Sequence, residues 1–170
     1  MADKRDPWLE EDFRVLTPDA FDFVLANELK RAVRSQNFLT LLLVQPRLGE
    51  PAEGQGEDQI VQQVGRLISR EVRETDLLSH TGERELSVVL LDADLSNSLG
   101  VVDRMMARLQ HYQFPQPLDI DVGAASCPTD GADPESLRQS AQARRVHPRD
   151  RPGSSRGGDP LTGWNKSNAQ

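Results

Sequence analysis

The sequence predicts an α/β (α+β) domain in which a central mixed sheet containing a β-hairpin is flanked by helices. Segments with helical spacing and short apolar runs follow one another as helix, strand, helix, strand, strand, helix, strand, helix. The two central runs are separated only by Gly82-Glu83-Arg84, a turn tight enough to make an antiparallel hairpin. A length of 170 residues accommodates one domain with a real core.

Thr17-Pro18-Asp19 reads as a helix start, a cap residue followed by proline at the first helical position. Phe21, Val24, Leu25, Leu29, Ala32 and Val33 then recur at helical spacing, so the first helix is expected from about Pro18 to Ser35. Phe38 to Val44 is an apolar run broken only by Thr40, a strand buried on both faces, with Pro46 expected to close it. The Gly-, Pro- and Glu-rich stretch 49–56 is a loop. Ile60, Val61, Val64, Leu67, Ile68 and Val72 give a second helix, with Glu57 and Asp58 complementing its N-terminal dipole. Asp76–Thr81 and Glu85–Leu91 are the two hairpin strands. Asp94 or Ser96 caps a third helix that turns Leu99, Val102, Met106 and Leu109 inward. Leu118–Ala125 is a further strand, and Pro134 to about Arg144 is the last helix.

Composition narrows the function. Hydrophobic residues make up 36% and charged residues 28%, an apolar share that implies disorder in part of the chain. The net charge of −7 argues against general binding to nucleic acid or anionic membrane. No apolar run approaches a membrane span. Residues 1–11 are charged and lack the apolar core of a secretory signal, and Cys127 is the single cysteine. The expected location is the cytoplasm. Residues 1–15 form an N-terminal segment, 16–145 the domain, and 146–170 a disordered tail rich in Arg, Gly, Ser and Pro. From Gln142 onward six basic residues stand against two acidic ones, a charge run that is either solvated or meets an acidic partner.

Four groups of residues carry a resemblance to a known family. Leu16-Thr17 is followed by a phenylalanine and by Glu28-Leu29-Lys30-Arg31-Ala32. Arg73-Glu74-Thr75-Asp76-Leu77 has the form Arg-x-x-Asp before the hairpin. Gly82-Glu83-Arg84-Glu85-Leu86 stands at the turn itself, and Val122-Gly123 with Pro128, Asp130 and Gly131 leads into the last helix. In order and spacing they resemble the GGDEF (diguanylate cyclase) family from about Leu16 to Ala143. The resemblance implies a nucleotide-cyclase-like fold.

The departures from the family pattern bear on activity. The family's turn reads Gly-Gly-Asp/Glu-Glu-Phe, whose glycines admit a nucleotide phosphate and whose carboxylates hold Mg²⁺. Here Glu83 replaces the second glycine, Arg84 the first acid and Leu86 the aromatic, while Glu85 keeps one carboxylate. Gln45 stands where the first strand should end in the other metal-binding carboxylate. Asp58 matches the guanine-reading aspartate without its neighbours, and Ala141 to Arg145 lacks the expected phosphate-contacting lysine. Phosphoryl transfer depends on charge stabilisation by metal and cations. The expectation is a degenerate domain with no catalytic residues, no metal site and no cofactor, its Mg²⁺ site having degenerated.

What the resemblance leaves is the product-binding side. Arg73 and Asp76 match the Arg-x-x-Asp site, and Arg104, counted without a gap from Gly82, matches a second product-contacting arginine. A guanidinium can fork onto guanine O6 and N7, and a carboxylate can accept from its N1 and N2 hydrogens. The expected ligand is cyclic di-GMP, bound in this family as a stacked pair, which implies help from a second subunit or domain. The bland reading stands beside it: Arg73 favoured by a helix dipole, Asp76 paired with Arg73 at the surface, Arg104 one arginine among many. Three functions follow in rank: a cyclic di-GMP receptor or signalling module, a ligand-independent protein-interaction or homodimerisation module regulating a partner, and a residual cyclase. His80, His111 and His147 lack ligand spacing, and Cys127 is expected buried or half-buried.

Overall fold

The computed structural model describes residues 15–49, 57–115 and 118–145. The expectations for residues 1–14, 146–170 (His147 among them) and 50–56 of the expected loop, and for the side chains of Glu57 and Asp58, lie outside the described residues.

Helix α1 spans Pro18–Ser35, with the Thr17 hydroxyl accepting from Ala20 N–H at 3.3 Å and Pro18 opening the first turn. Strand β1 spans Leu39–Leu48, helix α2 Glu57–Ser69, strand β2 Leu77–His80 and strand β3 Leu86–Leu91. Helix α3 spans Leu95–His111 and is capped by Asp94, whose carboxylate accepts from Asn97 N–H at 2.7 Å. Strand β4 spans Leu118–Cys127, and helix α4 spans Pro134–Ala143 behind the Asp133 cap. Every expected element is present and in the expected order.

The four strands lie in the order β2-β3-β1-β4. The sheet was expected to be mixed, but all three strand pairings are antiparallel. β1 and β2 do run the same way, as do β3 and β4. Each such pair is joined through a helix yet has another strand inserted between its members, so like-directed strands never meet. Leu16 and Ser79 form an isolated parallel bridge, in which Leu16 N–H donates to Leu78 C=O at 2.8 Å. It ties the entry to α1 onto the outer edge of β2.

β1 also runs past Pro46, which was expected to end it. β1 pairs with β3 only as far as Val44, while its pairing with β4 continues to Leu48. Proline is tolerated in a strand where one edge has lost its neighbour.

Alternation along β1 divides the core. Leu42 and Val44 pack under α2 and α3 with Val64, Ile68, Met105 and Leu109. Leu39, Leu41 and Leu43 pack under α1 and α4 with Phe21, Leu25, Leu29 and Leu137. The result is three layers with two helices on each face of the sheet. On α3 the fully inward methionine is Met105, with Met106 half-buried, one position from the expected stripe. Thr40, the polar break in β1, is fully buried and shares its hydroxyl with Ala93 C=O at 2.9 Å and the Ser126 hydroxyl at 2.5 Å.

Candidate functional site

The hairpin turn between β2 and β3 is closed by Thr81 N–H donating to Glu85 C=O at 3.0 Å. The Thr81 hydroxyl lies 2.6 Å from that of Ser87 and donates to the Glu85 carboxylate at 3.3 Å. Gly82 and Glu83 project into solvent, and Leu86, in place of the family's aromatic, is fully buried in the core under α2 and α3.

Glu85 and Gln45 are brought together by a third residue. Val44 pairs with Leu86 across β1 and β3, so the next residue of β1 and the residue before β3 are neighbours at the same sheet end. Arg145, just beyond α4, reaches both: Nη1 donates to the Gln45 amide oxygen and Nη2 to the Glu85 carboxylate. The side chains of Arg145 and Glu85 are 24% and 21% exposed, so this pair is largely withdrawn from solvent. On the other flank Gln45 faces Asp121 of β4, a buried acid paired with Arg47 Nε at 2.5 Å.

The reach of Arg145 depends on how closely α4 approaches β4. A Cβ on Gly123 would stand 2.1 Å from the Ala141 carbonyl oxygen and 3.1 Å from Arg145 Cγ. Only glycine permits the helix end to settle there. The Asp133 cap fixes the other end, accepting from Ser136 N–H at 2.9 Å and the Ser136 hydroxyl at 2.7 Å. These bonds hold the Asp133 carboxyl below its ordinary range. Arg144 pairs with Asp130 at 2.6 Å, and Asp130 accepts from Ser126 N–H at 2.8 Å, fixing the connection from β4. The buried Cys127 thiol lies in this layer, and burial pushes its pKa up.

The residues expected to bind the product lie elsewhere. α2 ends at Ser69, so Arg73 lies four residues beyond the helix and is exposed. Asp76 does not reach for the Arg73 guanidinium. One carboxylate oxygen accepts from Arg73 N–H at 2.8 Å and the other from Leu91 N–H at 3.0 Å. Asp76 is thereby pinned between its own loop and the end of β3. Arg104, on the exposed side of α3, stands 3.6 Å from the Glu71 carboxylate, which also takes Arg108. Arg104 lines a groove between the ends of α2 and α3, and Arg73 and Asp76 do not line it. Of the three expected ligand-binding residues, only Arg104 lines this groove.

Sequence reasoning missed Arg145 and Glu71. Arg145 sits in an arginine-rich run that reads as solvated tail, and Glu71 lies past the end of its helix. The small residues Gly123, Ala141 and Ala143 were the available signal for close packing at the Arg145 end.

The chain was compared with known proteins. The family model described as "Diguanylate cyclase, GGDEF domain" matches residues 19–147. No curated protein matches. Among solved structures, the GGDEF domain of YfiN from Pseudomonas aeruginosa is similar at a TM-score of 0.68 and 21% identity, covering 76% of this chain and 86% of that one. The GGDEF domain of DgcB from Caulobacter crescentus, in complex with c-di-GMP, is similar at 0.73 and 15%, covering 84% and 88%. The diguanylate cyclase SiaD from Pseudomonas aeruginosa, in complex with its activator SiaC, is similar at 0.67 and 16%, covering 76% of this chain and 53% of that one. No helix among the described residues is long and apolar enough to cross a membrane. The family match spans most of the chain and agrees with the fold and the hairpin position: this protein belongs to the GGDEF domain family.

Proposed function

We propose that this is a non-catalytic GGDEF domain that receives cyclic di-GMP through Arg73, Asp76 and Arg104. One observation carries the loss of catalysis: the Arg145 guanidinium bridges Gln45 and Glu85, the two positions where the family places metal-binding carboxylates. A hard divalent cation requires several oxygen ligands, most of them anionic or water. Here one carboxylate and one amide oxygen remain, and a fixed positive charge already engages both. These residues do not fit Mg²⁺. Arg84 at the turn adds a second cation where an acid is needed.

The receptor reading is supported by the way Asp76 is held. An ionised carboxylate has about four acceptor sites. Two backbone amides take one on each oxygen and orient the group, and the remaining lone pairs stay available to guanine N1–H and N2–H. Arg73 beside it is exposed and able to fork onto O6 and N7.

A second reading is a ligand-independent interaction module that self-associates or regulates a partner. It draws on the same backbone bonds, which would keep Asp76 in place for structural reasons alone. The structurally similar diguanylate cyclase SiaD is in complex with its activator SiaC. Calorimetry separates the readings. The receptor reading expects micromolar or tighter binding of cyclic di-GMP, abolished by Arg73→Ala or Asp76→Ala. Saturating ligand that gives neither heat nor a shift in melting temperature would reject it. Assembly on gel filtration that is indifferent to ligand would favour the second.

A further inference from the structure

The groove between α2 and α3 has a volume of about 560 Å³, within the range of small-molecule sites. Its charge runs against that of the whole chain. Arg70, Arg104 and Arg108 line it against one acid, Glu71, in a protein of net charge −7. Tyr112 forms one wall, 41% exposed, with its ring set edge-on to Phe114 at a centroid distance of 4.7 Å. Two or three guanidiniums beside an open aromatic face suit a phosphodiester joined to a planar base.

Glu71 is the unusual member. Its side chain is only 11% exposed, and it is paired with both Arg104 and Arg108. While those pairs stand, the arginines are committed to a protein carboxylate. A phosphate approaching them meets that carboxylate's negative charge as well.

We infer that the groove is the seat of the dinucleotide's phosphodiester and one base, and that Glu71 is an internal latch which the ligand must displace from Arg104 and Arg108. This rests on the receptor reading and assigns what that reading leaves open: which further residues hold the ligand, and what opposes its entry. Arg104 joins the two parts, since it belongs to the proposed ligand-binding set and also lines the groove. Glu71 serves as a stand-in anion that keeps the arginines ordered in the free state. The ligand exchanges one anion for another, so affinity is set by the difference between two pairings and not by the gross strength of one.

The test is calorimetric titration of the full chain with cyclic di-GMP, comparing wild type with Glu71→Gln, Arg108→Ala and Tyr112→Ala. Each variant is first checked by its melting temperature. Glu71→Gln removes the competing charge and keeps the shape, so binding is expected to tighten about five- to tenfold. Arg108→Ala is expected to weaken it about tenfold, and Tyr112→Ala by a similar factor through lost stacking. If the wild type binds while all three variants stay within about twofold of it, the groove and latch are overturned and the receptor reading survives. If Glu71→Gln weakens binding, Glu71 is a ligand contact and the latch is overturned. If the wild type gives no binding, both inferences fall together. Should Glu71→Gln not fold, Arg108→Ala and Tyr112→Ala, both at exposed positions, still decide the groove.

Discussion

Arg145 donates from Nη2 to the carboxylate of Glu85, sixty positions away in the chain, and so ties the end of α4 to the base of the hairpin turn. With Nη1 on Gln45, the guanidinium pairs with the remaining signature carboxylate and also engages the amide oxygen of its neighbour. The same contact closes the fold at one corner, and in the proposed non-catalytic reading it also occupies the groups that a metal would need there.

Arg145→Ala would leave Glu85 and Gln45 with fewer partners in a partly enclosed site. The expected loss is about 1–2 kcal/mol, between that of an exposed ion pair and a buried one. Urea denaturation at neutral pH measures it. A change within about 0.3 kcal/mol would place the pair among solvent-screened surface contacts.

Gly123→Ala tests how Arg145 is positioned. The added methyl would stand 2.1 Å from the Ala141 carbonyl oxygen, so α4 must shift. Overpacking of this kind costs about 1–3 kcal/mol. Combined with Arg145→Ala, its cost should be less than additive, because the shifted helix end no longer delivers the guanidinium. A double-mutant cycle by denaturation checks this, and strict additivity would separate the two residues.

Much of this arrangement is legible in the sequence, and the illegible part has a physical reason. Thr17-Pro18, Asp94 and Pro134 mark helix starts locally, because a helix start needs only residues within three positions. The hairpin is equally local. The strand through Pro46 was missed because its tolerance depends on which neighbour β1 still has at that point. Antiparallel pairing throughout follows from strand order, which no single strand encodes. At the site, Gln45 and Glu85 were identified by position and do come together. Arg145 was not, since its role depends on how tightly α4 packs on Gly123.

Cys127 is fully buried and its pKa is raised by desolvation. The thiol should resist a disulfide reagent such as DTNB at pH 8 in the folded protein and react fully in denaturant. Prompt stoichiometric reaction without denaturant would mean that the layer under α1 and α4 opens readily.

The Asp133 cap carries a pH signature. Its carboxyl is held below the ordinary 3.8, so the folded state binds that proton less readily than the unfolded one. Its contribution is present above pH 3.8 and lost as the pH falls through the lower folded value. Wild type should melt above Asp133→Ala at neutral pH, with the gap narrowing on acidification. A gap that stays constant to low pH would show that the carboxylate's charge is not what stabilises α4.

The most direct test of the central claim is incubation of the purified protein with GTP and Mg²⁺, followed by chromatography of the nucleotides. With Arg145 bridging Gln45 and Glu85, the prediction is that GTP is recovered unchanged. Formation of cyclic di-GMP, lost on Glu85→Gln, would contradict the account.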